Sequence, residues 1–265
     1  MPISDVVTGI AKRYRILRLP LPSSLRSFLL SKYSKDLRNY SNPIKKTVLF
    51  YLSYLEEIEA QLTLPFIADT LLQSILETSY LEGDIIELGT YKGGSTTLIA
   101  HHLKTTRSKK HIYACDTFEG HPYDDITSAC YCLKRGMGGD SSVNYVENKF
   151  RKFKVSDKIA IVKGKFEDTL LRQLGDRVFA LAFLDCDLYQ SGKFCYSFLY
   201  PRIVPGGCIV VHDYEEQQPD KPRSFGISLA TDEFLKEKGL KIKRQGSSGY
   251  VIWFPNSEGD GKNCC

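Results

Sequence analysis

The chain has 265 residues, a formal net charge of +5 and a quarter of its residues charged. That length fits one large domain, with or without an extension, and is enough to bury a sizeable core. The charge is mild and lacks a dense basic stripe, so nucleic acid is not the expected partner. No segment reaches the uninterrupted apolar length of a membrane span.

Residues 1–43 read as a helical extension, with "DVVTGIAKRYRILRL" and "SSLRSFLLSKYSKDL" as amphipathic candidates broken by "PLPSS". The apolar stretches there are too short, and too often interrupted by Lys and Arg, for a signal peptide. The spacing of apolar residues predicts helices over "KKTVLFYLSYLEEIEAQL" and "PFIADTLLQSILETSYL". The period then changes. "GDIIELG" is a strand running into a glycine turn, "STTLIAHHLK" a helix opened by Ser95, and "HIYACD" a second strand. A polar, glycine-rich loop covers about 117–141. A helix ("VNYVENKFRKF"), a third strand ("KIAIVKG"), a short helix ("FEDTLLRQL") and a fourth strand ("VFALAFLDCD") follow. "SGKFCYSFLYPRI" is a helix, "GCIVVHDY" a fifth strand and "GISLATDEFLKEKGL" a helix. "KIKRQ" and "YVIWF", joined by "GSSG", form a terminal hairpin.

Alternating strands and helices predict an α/β fold: a doubly wound, mostly parallel sheet of seven strands with an antiparallel C-terminal hairpin. Three regions follow: the extension 1–43, a main domain 44–257 and a flexible tail 258–265. Of eight cysteines, none forms a C-x-x-C pair, and Cys115 and Cys208 lie in apolar runs. A reduced, cytoplasmic setting is the expectation. Cys130 and Cys132, in a loop, are the candidates for redox or metal chemistry. The terminal "GKNCC" lacks the C-a-a-X lipidation pattern.

Three features carry chemistry. In "IIELGTYKGGST", Gly89, Gly93 and Gly94 let backbone approach a ligand, and the helix start near Ser95 offers free N–H groups. The G-x-G-x-x-G fingerprint is absent, and Glu87 at the strand end suits an amine or sulfonium better than a pyrophosphate. The alternative is a tight turn with no ligand. Asp116 ends the second strand, where an acid can accept both hydroxyls of a ribose, with Phe118 beyond it as a platform for adenine; a loop or capping acid is the alternative. Asp185 and Asp213 end the fourth and fifth strands, one strand–helix–strand unit apart. Two such carboxylates repel unless one is protonated or a cation lies between them. Oxygen ligands select hard ions such as Mg²⁺. Asp187 lies two residues on. The alternative is that these acids cap helices or pair with Lys and Arg.

"IIELGTYKGGST", "DTFEGHP", "GKFEDTL", "FLDCDLYQS" and "LYPRIVPGGCIVVHDY" together resemble the macrocin O-methyltransferase (TylF-type) family, over roughly residues 60–255. These are class I S-adenosylmethionine-dependent enzymes acting on sugar hydroxyls. The resemblance implies that Glu87 and Gly89 line the methionine end of the cofactor and that Thr90, Gly94 and Ser95 also bind it. Asp116 would hold the ribose, with Phe118, Ser142 and Phe166 near adenine and Asp185 also at the cofactor. Asp185 and Asp213 would bind Mg²⁺ or Mn²⁺, and Asp187 would be the general base. The family commonly has two adjacent acids where this chain has His212–Asp213. His212 is therefore a candidate metal ligand favouring Mn²⁺, Fe²⁺ or Zn²⁺, or a second base, or simply a hydrogen-bond partner of a neighbour. The resemblance also makes a sugar or glycosylated acceptor and a homodimer the expected partners. The competing readings are a nicotinamide oxidoreductase, a methyltransferase of catechol-like hydroxyls, and a binding protein that has lost turnover.

Overall fold

The computed structural model describes residues 41–58, 67–128, 133–218, 222–245 and 249–256. The two amphipathic candidates before residue 41, Cys130, Cys132 and the tail from 257 lie outside the described residues. In chain order the elements are α1 (Asn42–Ser53), α2 (Leu55–Ile58), α3 (Ala68–Glu77), β1 (Asp84–Leu88), α4 (Gly94–Thr105), β2 (Ile112–Asp116), α5 (Val143–Lys152), β3 (Ile159–Lys163) and α6 (Phe166–Leu174). β4 (Phe179–Leu184), α7 (Tyr189–Leu199), β5 (Ile203–Val211), α8 (Ile227–Lys238), β6 (Ile242–Gln245) and β7 (Gly249–Trp253) complete them.

The seven strands form one sheet in the order β3-β2-β1-β4-β5-β7-β6. β1 to β5 are parallel, and β7 runs antiparallel to both β5 and β6. The winding reverses between β1 and β4. Ligands of such sheets bind beyond the carboxyl ends of the strands at that crevice. Residue alternation along each strand builds the two faces. Ile85, Leu181, Phe183, Cys208 and Val210 pack with Ile44 of α1, Leu71 of α3, Leu98 of α4 and Phe150 of α5. Their neighbours Ile86, Leu88, Ala182, Leu184 and Val211 pack with Leu170 of α6, Phe198 of α7 and Phe234 of α8. All six residues of β4 are buried, which is why that strand reads as an unbroken apolar run.

Some boundaries differ from expectation for local reasons. The first expected helix is interrupted at Tyr54, giving α1 and α2. α1 docks on α4, where the Thr47 hydroxyl lies 2.9 Å from His102 Nδ1. Burial lowers the His102 pKa to about 4, so that ring is neutral in the core. α7 begins at Tyr189, two residues before the expected Ser191, because Asp125 Oδ2 accepts from Tyr189 N at 2.7 Å. It ends at Leu199, ahead of Pro201. β5 starts earlier than expected, at Ile203, with a register shift against β4 between Phe179 and Leu181. Cys115, Cys186, Cys195 and Cys208 are all buried free thiols.

Candidate active site

Parallel register brings the strand ends into line. Leu88 is level with Cys115 and with Leu184, and Leu184 with Val211. Each following loop starts with one more rung: Gly89 N donates to Cys115 O (3.0 Å), Asp185 N to Leu88 O (2.9 Å) and His212 N to Leu184 O (2.9 Å). Gly164 N donates to Asp116 O at 2.9 Å, which sets the turn before Phe166 beside Asp116. Thus Glu87, Asp116, Asp185 and His212–Asp213 share one edge of the sheet. Four non-glycine residues in the loops there, Tyr91, Phe118, Asp187 and Asp213, have φ between 48° and 58°. Such backbone strain gathers at functional sites.

The glycine turn is crowded by backbone. A Cβ on Gly89 (φ +106°) would lie 1.9 Å from the Asp185 carbonyl oxygen. Gly93 is the N-cap of α4 and, being glycine, leaves the first N–H groups without a side-chain partner. Glu87 is fully buried. Its Oε2 accepts from the Thr96 hydroxyl, while Oε1 meets no hydrogen-bond partner. Burial raises its pKa to about 8, against the opposing bonds from Ser95 and Thr96, with Asp185 and Asp116 adding repulsion. Thr90 Oγ1 is likewise buried without a partner. Two such orphaned polar atoms around a glycine turn fit a ligand that brings its own hydrogen-bonding groups. Asp116 is held by Tyr91 N (2.8 Å to Oδ2) and Phe118 N (2.7 Å to Oδ1).

Three residues expected at the adenine, Phe118, Ser142 and Phe166, take these places. Phe118 is 3% exposed and its ring belongs to the core cluster that includes Leu98 and Phe150. Ser142 is the N-cap of α5, accepting from Tyr145 N at 3.2 Å. Phe166 is partly buried against the opposite cluster, at the start of α6.

Asp185, His212 and Asp213 each offer a ligand atom, all within 4.8 Å of one another. His212 Nδ1 lies 2.7 Å from Asp185 Oδ1 and 3.0 Å from Asp213 Oδ2. Both contacts are short. The spacing matches neighbouring ligands of one octahedral ion, about 3 Å apart for bonds of ~2.1 Å. The donor set therefore fits a divalent cation, and its nitrogen favours a softer one than Mg²⁺. Without an ion, burial pulls the His212 pKa down, but the charges of Asp185 and Asp213 outweigh it and hold the pKa well above 6.5.

Asp187 stands beside this triplet, with its carboxyl raised to about 6 by burial. The repulsion of Asp213 and Asp185 adds to that, and its contact with His121 opposes it. Sequence reasoning passed over His121, whose Nε2 is 3.1 Å from Asp187 Oδ2. Sixty-six residues separate the two, and only the fold pairs them. Asp125, also unforeseen, ties the 117–141 loop to the start of α7 through Tyr189.

An open parallel sheet with its ligand edge at the β1/β4 switch and an antiparallel β7 defines the class I methyltransferase fold. Solved structures agree. The O-methyltransferase NovP superimposes with a TM-score of 0.58 at 21% identity, over 77% of this chain and 81% of that one. The calicheamicin methyltransferase CalS11 gives 0.59 at 18% identity, over 89% and 94%. The chain belongs to the macrocin-O-methyltransferase (TylF) family, whose model matches residues 69–243. Among characterised relatives, a tetracenomycin-C rhamnosyl 4'-O-methyltransferase of Streptomyces olivaceus is 29% identical over 155 residues, 54% of this chain and 58% of that protein. Demethyldecarbamoylnovobiocin O-methyltransferase of Streptomyces niveus is 29% identical over 148 residues, 52% and 55%. The matches thus span little more than half the length of these relatives.

Proposed function

We propose that this protein transfers a methyl group from S-adenosylmethionine to a hydroxyl of a sugar or glycosylated small molecule. The observation that carries this is one strand edge holding both halves of the chemistry: the glycine turn with orphaned Glu87 Oε1 and Thr90 Oγ1, and the Asp185–His212–Asp213 cluster. On this proposal Glu87, Thr90 and the start of α4 at Gly94 and Ser95 receive the methionine end of the donor. Asp116 takes the ribose hydroxyls. Asp185, His212 and Asp213 would hold a divalent ion, which supplies Lewis-acid polarisation of the acceptor hydroxyl when bound. Asp187 serves proton removal. The rhamnosyl substrate named for the first of these relatives supports the acceptor class. A homodimer in a reducing cytoplasm is the proposed setting, and the buried free thiols support the latter. Among the described residues no helix is long and apolar enough to cross a membrane.

The test is calorimetric titration with S-adenosylhomocysteine, with NAD as control, followed by a screen of nucleotide-linked and natural-product glycosides as acceptors. Binding of the adenosyl compound and not of NAD is expected. Absence of binding under every condition would discard the enzyme assignment.

A further inference from the structure

Asp187 stands at the centre of a tight turn. Leu188 N donates to Cys186 O across it at 2.6 Å, and the Asp187 φ is +58°. This is the rare, strained form of such a turn, and a residue other than glycine keeps it only where the surroundings over-determine it. Two helix starts flank the turn. α7 begins two residues on at Tyr189, and Ile227 N at the start of α8 donates to the Asp187 carbonyl at 2.9 Å. Neither helix brings its own cap: the N-cap positions are Leu188 and Gly226, and neither makes a side-chain hydrogen bond.

Asp125 supplies what they lack. Its Oδ2 accepts from Tyr189 N at 2.7 Å. The same oxygen lies against the start of α8, where a Cβ on Gly226 would stand 2.0 Å from Asp125 Oδ2 and 2.6 Å from Tyr189 N. The absence of a side chain at Gly226 lets the carboxylate, α7 and α8 close on one point. Asp125 Oδ1 accepts from Thr127 N at 2.9 Å and from the Thr127 hydroxyl at 2.7 Å. Asp125 N donates to Leu133 O at 3.0 Å. The carboxylate is buried, and a negative charge is favoured at a helix N-terminus. Neighbours in the same loop grip the same elements. Tyr123 Oη lies 3.1 Å from Ser191 Oγ on α7, and the Ser128 hydroxyl donates to Ser224 O. The first half of the loop after β2 is a strut across the ends of β4 and β5.

We propose that Asp125 is a positioning residue for methyl transfer: by capping α7 against α8 it holds the strained turn that keeps the Asp187 carboxylate in its working place. This rests on the methyl-transfer proposal with Asp187 as its base. Asp125 itself moves no proton and acts only through that turn. Without it, Tyr189 N loses its acceptor and the turn is free to relax toward negative φ, carrying the Asp187 carboxyl away. A displacement of about 1 Å at a reacting group can slow turnover by two orders of magnitude.

Kinetics and hydrogen exchange on the full chain test this. With an acceptor from the screen, Asp125→Ala should lower kcat about a hundredfold. Affinity for S-adenosylhomocysteine should stay unchanged, since the hydrogen bonds of Glu87 and Asp116 do not pass through Asp125. Asp125→Asn keeps an acceptor for Tyr189 N and should recover most of the loss. In an Asp187→Asn background, Asp125→Ala should lower kcat little further, because residues that act as a unit are not additive. Deuterium exchange read by mass spectrometry should speed up in Asp125→Ala over 186–192 and 226–229 and stay as in the wild type over 84–105. Near-normal kcat in Asp125→Ala overturns the proposal. So does a fully additive loss on top of Asp187→Asn. Faster exchange throughout the chain, with cofactor affinity lost alongside kcat, would make Asp125 a general support of the fold and overturn it too. Failure of the wild-type chain to bind S-adenosylhomocysteine would instead sink the methyltransferase proposal, and near-normal turnover of Asp187→Asn the base assignment.

Discussion

Glu87→Gln tests the electrostatics of the cofactor edge with a calculable outcome. The folded protein holds this carboxyl protonated up to about pH 8, whereas its ordinary value is 4.5. Between those two values the unfolded chain has released a proton that the folded chain keeps. Folding stability therefore falls as pH rises through that window and levels off above it, at ~1.4 kcal/mol per pH unit for one group. From pH 5.5 to 8.5 the contribution of Glu87 should decline by about 3 kcal/mol. The amide of the variant cannot ionise, so the difference between wild type and variant isolates this group from Asp187 and His212. The assay is urea unfolding followed by the fluorescence of Trp253, the only tryptophan, at intervals across that range. The gap between the two curves should swing by about 3 kcal/mol in favour of the variant at high pH. Parallel curves would refute the reasoning, since they would mean that Glu87 ionises as freely in the fold as outside it.

Four further outcomes are expected. Gly89→Ala puts a methyl 1.9 Å from the Asp185 carbonyl at a backbone angle that alanine resists; unfolding assays should show a loss of at least about 3 kcal/mol from strain and overpacking together. Asp116→Ala removes the acceptor of two backbone N–H groups as well as the proposed ribose ligand; S-adenosylhomocysteine affinity should fall at least about tenfold by calorimetry, the smaller end of a lost charged hydrogen bond. Asp187→Asn should leave that affinity intact and cut turnover at least about a hundredfold. In the ion-free protein the neighbouring acids keep His212 protonated despite its burial, so a metal must displace a proton. Titrations in buffers of different ionisation enthalpy should show proton release and weaker binding as pH falls, with Zn²⁺ or Mn²⁺ preferred to Mg²⁺. His212→Asp should shift the preference toward Mg²⁺, and a wild-type preference for Mg²⁺ would contradict the ligand set.

The sheet was legible because the apolar period changes abruptly at residue 84 and each buried run stops on a glycine or an acid. The same stops marked Glu87, Asp116, Asp185 and Asp213, since a carboxylate at the end of a buried strand demands a reason. Side-chain direction within loops was not legible. Phe118 follows Asp116 closely enough to suggest an adenine platform, but its left-handed backbone, φ +55°, accompanies a ring buried in the core. Ser142 gave a better signal: a serine directly before a helical stretch is first of all a cap. His121 stood inside a quoted motif, yet nothing local tied it to Asp187. That pairing exists only because the long loop after β2 folds across two strand ends.

The extra rungs beyond β1, β4 and β5 have an evolutionary consequence. Asp185 and His212 hang from the last hydrogen bond of a strand, so their positions are inherited from the sheet and not from the loop that follows. Descendants of this scaffold can vary the loops beyond these two rungs without rebuilding the strand ends beneath them. Segment grafting between relatives is the corresponding engineering route, and the strand ends are its natural seams.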